Sequence, residues 1–286
     1  MWPLVAFAEI ALLYVLWSST IAVIVLMCKR KSPSKLYNRC PPLFLVLVAT
    51  LLLAIANCFM LVPWLALSSG FFTLNKVQSQ IAFLLGIAVI PPRTLYDLQT
   101  LALFLQRIFI ILLPVKRCGF TTILSVVNVL VVSAMATVLF VVFVPALLKD
   151  TSIPENCFSS ICMSQSFKIR PGLTVIRLIS SSLIILSGSV FLLLYSRQKT
   201  HQNESEETKF YVMLRMFFYL RIFLEVIPFL MEFLLLKTMN ISVAQYVGPF
   251  GSFGGAVDAL VTTLLYCRVL FPRKVVHQVS STTRLS

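Results

Sequence analysis

Ionisable side chains interrupt the long apolar stretches of this sequence. They are Glu9, Arg93, Asp97, Arg107, Arg177, Arg215, Arg221, Glu225, Glu232 and Asp258. An ionised group at the centre of a membrane helix costs about 2.5–3.5 kcal/mol on insertion scales, so its presence there favours a functional role. Such acids and arginines could line a ligand pocket, relay protons or ions, or form ion pairs that only stabilise the fold.

Two acid–arginine pairs are spaced for contact within one helix. Arg93 and Asp97 are four residues apart, as are Arg221 and Glu225. Residues with this spacing share a helix face, so each pair could neutralise itself locally. Asp258 follows Gly254-Gly255, where small residues allow helices to approach closely and a buried acid usually bonds to the neighbouring helix. Both the structural and the functional interpretation of these groups remain open.

The composition identifies the environment as lipid. Hydrophobic residues make up 59% of the 286 residues, charged residues only 12%, and the mean hydropathy is +0.94. This leaves too little polar surface for a soluble globule. The net charge of +14 comes from basic residues at the edges of the apolar runs. That distribution sets orientation in a membrane and argues against nucleic-acid binding.

Seven apolar runs are long enough to cross a bilayer as helices. They cover residues 3–27, 43–67, 81–113, 123–148, 173–195, 210–236 and 247–271. The third run is the longest, and Pro91-Pro92 within it predicts a kink or a late helix start. We therefore predict an all-α membrane protein, a bundle of seven transmembrane helices over residues 1–271 followed by a tail at 272–286.

The connecting segments predict the orientation of the bundle. One alternate set of connections carries fourteen Lys and Arg residues, and the other carries five. By the positive-inside rule the richer set is cytoplasmic. An odd number of crossings then places the amino terminus outside and the carboxyl terminus in the cytoplasm.

The end of the third run carries a recognisable motif. It reads Gln106-Arg107-Ile108-Phe109-Ile110-Ile111-Leu112-Leu113-Pro114. This resembles the Asp-Arg-Tyr region of rhodopsin-like G-protein-coupled receptors, in which an Arg is followed four positions later by an aliphatic residue and seven later by Pro. Arg107, Ile111 and Pro114 match that spacing. A snorkelling cation beside a loop proline is the alternative explanation of Arg107.

The chain departs from the usual receptor pattern in ways that resemble one branch of these receptors. Gln106 replaces the acid, Pro228 has no Trp two residues before it, and Tyr266 has no Asn-Pro ahead of it. With its small size, its Leu105-Gln106-Arg107 triplet and its seventh run containing Asp258 and Tyr266-Cys267-Arg268, the chain is similar to nematode serpentine chemoreceptors. The resemblance implies a plasma-membrane sensor of small molecules, on the cilium of a sensory neuron, coupled to a heterotrimeric G protein.

The resemblance assigns expected roles to residues. Arg93, Asp97, Arg177, Arg221 and Glu225 are expected to contact an odorant or pheromone-like ligand that enters from outside. The arginines favour a ligand with an anionic oxygen, because guanidinium groups bind carboxylates in a bidentate manner. Residues expected in the activation switch and in G-protein coupling are Arg107, Ile111, Pro114, Arg215, Asp258 and Tyr266.

Other classes of protein are less consistent with the sequence. A small transporter or channel, using the intramembrane acids and arginines as an ion or proton relay, is the main alternative. The sequence predicts no enzyme, because it has no HExxH or GxSxG motif and its two histidines, His201 and His277, lie outside the apolar runs. No cofactor or metal site is expected, since the seven cysteines include no pair of closely spaced CxxC motifs.

Overall fold

The computed structural model is all-helical in the residues that it describes, which are 3–30, 33, 37, 41–69, 76–112, 118–148, 170–198, 206–239 and 250–270. The helices are α1 (Pro3–Arg30), α2 (Pro41–Ser68), α3 (Lys76–Ala88), α4 (Ile90–Leu112), α5 (Cys118–Leu148), α6 (Arg170–Gln198), α7 (Glu206–Arg221), α8 (Ile227–Met239) and α9 (Phe250–Leu270). A π-helical segment, Ile222–Val226, joins α7 to α8. The predicted all-helical fold is thus confirmed over these residues.

Five helical stretches have the length and apolar composition needed to cross a membrane. They are Leu4–Arg30, Pro41–Ser68, Val77–Leu112, Ile123–Val141 and Arg177–Arg197. They correspond to the first five apolar runs, so the chain has the character of a membrane-embedded helical protein. The sixth and seventh runs are also helical where the structure describes them, in α7 to α8 and in α9.

The third run contains a helix break at its prolines, as the sequence predicts. Helix α3 ends at Ala88, Val89 forms a turn, and α4 begins at Ile90. Pro91 and Pro92 therefore occupy the first turn of α4, where a backbone N–H has no partner within the helix and its loss costs little. The run predicted over 81–113 is thus divided into two helices near the prolines, where a kink or a late helix start is expected.

The π segment of the sixth run also has a local cause in the sequence. Pro228 has no N–H to donate to the carbonyl of Leu224, its partner in a regular α-helix. The chain widens just before this proline, and the N–H of Ile227 bonds to the carbonyl oxygen of Ile222, five residues back. Such wide turns change which way the following side chains face.

The helices close into a bundle with α4 near its centre. Helix α1 packs on α2, α2 on α4, α4 on α6, α6 on α7, α7 on α9, and α9 returns to α1. Helix α4 also contacts α5. The buried stripe of α1, with its three- and four-residue spacing, consists of Ala6, Ile10, Leu13, Trp17, Thr20, Ile24 and Met27.

The outer surface of the bundle is apolar, as expected where lipid is the solvent. In the most apolar 18-residue stretch of α2, half of the residues are buried against other helices, whereas in the corresponding stretch of α5 only 11% are buried. Side chains such as Val141, Leu130 and Ile123 of α5 are more than 60% exposed. This exposure is compatible with a membrane, because lipid chains are as apolar as these residues.

Candidate functional site

The ionisable residues of the third and sixth runs meet in one buried group. We use the name polar cluster for Arg93, Tyr96, Asp97, Thr100, Arg221, Glu225 and Asp258. Helix α4 supplies the first four residues, α7 ends at Arg221, the π segment supplies Glu225 and α9 supplies Asp258. All except Arg93 are buried, with exposed fractions between 0 and 7%.

The ion pairs of the cluster run mainly between helices. The Arg93 guanidinium pairs with Glu225, and Arg221 pairs with Asp97. Only the Arg221–Glu225 contact, with 3.1 Å between Nε and Oε2, lies within a single helical run as the spacing predicts. The local Arg93–Asp97 pair, one of the alternatives left open by the sequence, is not formed, because each of these side chains reaches across to the sixth run instead.

Arg221 is the centre of this network. Its Nε faces Glu225, its Nη2 donates to Asp97, and its Nη1 donates to the Thr100 hydroxyl at 3.0 Å. Its guanidinium carbon also lies 4.7 Å from the centroid of the Tyr96 ring. Each guanidinium nitrogen therefore has an acceptor and one face has an aromatic partner, which is the environment a buried arginine requires.

Helix α9 joins the cluster through two glycines and an acid. A Cβ at Gly254 would collide with the carbonyl oxygen of Leu224 in the π segment, and a Cβ at Gly255 would lie 2.9 Å from Nη1 of Arg93. The missing side chains thus allow α9 to approach the π segment and leave room for the Arg93 guanidinium. One turn beyond Gly254, Asp258 accepts a 3.0 Å hydrogen bond from the Tyr96 hydroxyl.

The structure thus unites four of the five predicted ligand-binding residues. Arg93, Asp97, Arg221 and Glu225 are in direct contact, and Asp258, predicted for the activation switch, completes the same cluster. Arg177 lies elsewhere, with its guanidinium carbon 4.7 Å from the centroid of Phe229. Phe229 is one helical turn beyond Glu225, so Arg177 lies near the cluster but does not belong to its ion-pair network.

The other predicted switch residues are spread along the remaining length of the bundle. Arg107 is half-buried on α4, ten residues beyond Asp97, which corresponds to about 15 Å along the axis. Ile111 packs against the core one turn later. Arg215 is exposed, and Tyr266 is fully buried with its ring centroid 6.3 Å from that of Phe217. Pro114 lies outside the described residues, as does the side chain of Glu232.

Sequence analysis missed Tyr96, Thr100 and Gly255 as parts of the site. Tyr96 and Thr100 lie three and seven positions after Arg93, on the same face of α4. That periodicity could have identified them once Arg93 was taken as a site residue. Gly255 carries no comparable signal, since its role depends on where the arginine of another helix ends.

A layer of aromatic rings follows the polar cluster along the same helices. Phe104 of α4 has ring centroids of Phe191, Phe217 and Phe218 at 5.9–6.1 Å. Tyr195 and Tyr211 stack at 4.6 Å beyond Phe191. We use the name aromatic layer for Phe104, Phe191, Tyr195, Tyr211, Phe217, Phe218 and Tyr266.

The side chains of the polar cluster are suited to recognising charged or polar groups of a ligand. Within the described residues, no group of three or more His, Cys, Asp or Glu side chains is placed to hold a metal ion. The polar cluster instead offers guanidinium groups and carboxylates that can change partners. No protein-family model matches this chain, and comparison with curated proteins finds no relative.

Proposed function

We propose that this protein is a chemosensory receptor with seven transmembrane helices, which binds a small molecule from outside and activates a heterotrimeric G protein. The observation that carries the proposal is the buried ion network that ties α4 to the π segment and to α9. A set of exchangeable polar contacts between helices can have two arrangements, and a ligand that prefers one of them shifts the equilibrium. The motif at Arg107 lies on the same helix as the network.

The topology forms part of this proposal. Helix α9 has 21 residues, about 31 Å of helix, and α7 to α8 is longer still, so both can cross a hydrocarbon core about 30 Å thick. With the five apolar stretches this gives seven crossings. The distribution of Lys and Arg favours an outside amino terminus with the tail in the cytoplasm. A plasma-membrane location belongs to the proposed receptor function.

Arg93 is the member of the cluster best suited to meet a ligand. Its side chain is 21% exposed, against 8% for its partner Glu225 and 4% for Arg221. A ligand carboxylate could therefore take Arg93 in a bidentate contact. Glu225 would not be left unpaired, because Arg221 Nε still lies 3.1 Å from its second oxygen.

Loss of the Arg93–Glu225 contact would remove the direct ion pair between the π segment and α4. Arg221, at the end of α7, would still bind Asp97 and Thr100 of α4, and Leu224 of the π segment would still abut Gly254 of α9. A shift of α7 relative to α4 would follow this change of partners. At the other end of these helices Arg107 and the exposed Arg215 could then meet the carboxyl-terminal helix of a G-protein α subunit, a helix-in-groove contact.

A paired ligand panel tests the recognition step. Cells that display the protein with a G-protein readout would be exposed to small carboxylic acids and to their methyl esters. We expect activation by some acids, weaker activation by the matching esters, and a raised half-maximal concentration for Arg93→Ala at unchanged surface expression. Arg30→Ala is the control, since Arg30 is exposed at the end of α1 and is not among the expected ligand-binding residues.

Two results would overturn the proposal. One is ligand-dependent ion or solute flux through the purified protein in proteoliposomes without G-protein activation, which would identify a transporter or channel. The other is the detection of epitope tags at the two chain ends on the same side of the membrane. That result excludes an odd number of crossings and with it the receptor topology.

A further inference from the structure

The polar cluster contains one more acid than it has arginines to pair with them. Asp97 and Glu225 are bound by the guanidinium groups of Arg221 and Arg93. Asp258 forms no salt bridge with any described residue, although Arg93 packs on Gly255 just one turn before it. With all side chains ionised, the cluster would carry an uncompensated negative charge in a completely buried position, which is strongly unfavourable.

The Asp258 carboxyl has one satisfied and one unsatisfied oxygen. Its Oδ2 accepts the hydrogen bond from Tyr96, whereas Oδ1 is buried and bonds to none of the described groups. One turn further along α9, the Thr262 hydroxyl is likewise buried and lies beside Asp258, but no hydrogen bond of good geometry to a described residue satisfies it. Two polar atoms without partners therefore lie on the same face of one helix.

Thr262 differs from comparable threonines in this bundle. The hydroxyls of Thr20, Thr50, Thr94 and Thr263 each donate to a backbone carbonyl four residues earlier, at 2.8–3.1 Å. A helical threonine usually satisfies its hydroxyl in this manner. Thr262 does not, so its oxygen is left for a donor on the side of Asp258.

Apart from Arg93 and Arg221, the described groups around Asp258 supply no cation to pair with it. The segments that pack on α9 are α1, α2, α7, the π segment and α8. On α7 and the π segment the charged groups nearest Asp258 are Arg221 and Glu225, which bind each other and α4. Glu9 of α1 is another acid, and Cys58 of α2 contacts Ser18 at 3.7 Å. The side chains of Glu232 and Lys237 on α8 lie outside the described residues.

We propose that Asp258 is a proton-binding site and that its carboxyl group is neutral in the folded protein at neutral pH. The proton is taken up from solvent and forms an O–H bond at Oδ1, and this O–H donates a hydrogen bond to the Thr262 hydroxyl oxygen. This bond gives a partner to Asp258 Oδ1 and to the Thr262 oxygen. The two carboxylates that stay ionised, Asp97 and Glu225, then balance the charges of the two arginines. The site itself does not require the receptor function, but under the proposed function a neutral cluster would admit an anionic ligand at Arg93 with less repulsion.

Infrared spectroscopy of the purified full-length protein in lipid nanodiscs tests the site without a ligand or a G protein. A protonated carboxyl gives a C=O stretching band that is separate from the carboxylate bands and shifts in deuterated water. We expect Asp258→Asn to remove one such component. Glu9→Gln, a change of an acid outside the cluster, should leave that component in place.

Two further variants keep the test decisive if Asp258→Asn does not fold. Thr262→Val and Tyr96→Phe each delete one hydrogen-bond partner of the carboxyl and should shift the Asp258 component without removing it. Unshifted spectra in both would overturn the proposal, as would an identical band in wild type and Asp258→Asn.

The identity of the bound cation is tested by replacing choline chloride with sodium chloride in the buffer. An unchanged band supports the proton. Loss of the band on addition of sodium would show that a metal cation occupies the site, and the proposal of a protonated carboxyl would then be wrong. A failed G-protein assay alone would leave these results unaffected, so the two proposals can fail independently.

Discussion

The two halves of α4 contact their neighbours through different chemistry. In the amino-terminal half, Arg93 and Asp97 form ion pairs with the sixth run, and Tyr96 bonds to Asp258 of α9. In the carboxyl-terminal half, Phe104 meets rings of α6 and α7 at about equal distances. Helix α4 is therefore joined to the sixth run twice, once by charges and once by aromatic packing.

This difference separates a part that can change partners from a part that holds its shape. Glu225 has two guanidinium partners, Arg93 and Arg221, so it can lose one ion pair and keep the other. Ring packing depends on shape, so interdigitated rings resist small displacements and move as a unit. Under the proposed receptor function, a signal would begin as a change of partners in the polar cluster and would pass through the aromatic layer toward Arg107.

The largest effect is expected from removing the shared acid. Glu225→Ala leaves Arg93 without its carboxylate and Arg221 with only Asp97. Breaking a buried ion pair in this manner costs about 3–5 kcal/mol. The free energy of unfolding in bicelles should fall by that amount, with Glu9→Gln as the control acid. A loss below about 1 kcal/mol, the value of an exposed pair, would contradict the buried network.

The close approach of α9 to the π segment gives the second prediction. A side chain at Gly254 meets the backbone carbonyl of Leu224, which cannot swing aside as a side-chain end can. Gly254→Ala should therefore cost about 3 kcal/mol, the upper part of the range for overpacking. The matched variant Gly255→Ala presses only on the flexible end of Arg93 and should cost about 1 kcal/mol. Equal losses in the thermal unfolding of the two variants would contradict this geometry.

The sequence predicts the helices better than it predicts their partners. Apolar run length locates the helical segments, and Pro91-Pro92 predicts the break between α3 and α4, because both effects are local. The exchange of partners between Arg93, Asp97, Arg221 and Glu225 could not be predicted, because it depends on how two distant helices are rotated. The long arginine side chain reaches the neighbouring helix as readily as its own next turn. Asp258 was recognised as a helix-contact acid, but its partner Tyr96 lies 162 residues away.

The aromatic layer gives the third prediction. Phe104→Ala removes a fully buried ring with three aromatic neighbours. In a soluble core this change costs about 3–5 kcal/mol, but in lipid the transfer from water is absent and mainly the cavity remains. We expect a loss of about 2 kcal/mol. Phe59→Ala, at a site 63% exposed on α2, should be close to neutral in the same unfolding assay.

The smallest effect separates a bond between helices from one within a helix. The Thr100 hydroxyl accepts a 3.0 Å hydrogen bond from Arg221 and itself donates to the carbonyl of Tyr96 at 2.8 Å. The Thr50 hydroxyl donates to Val46 of its own helix at 2.8 Å. Interhelical hydrogen bonds in membranes contribute about 0.6 kcal/mol on average and up to about 1.7 kcal/mol. Thr100→Val should therefore destabilise the protein by about 1 kcal/mol more than Thr50→Val, because only the first change takes an acceptor from a buried guanidinium. A double-mutant cycle with Arg221→Gln checks this. If it gave no coupling, Thr100 would contribute nothing to the network, and only the carboxylates would hold Arg221 in the polar cluster.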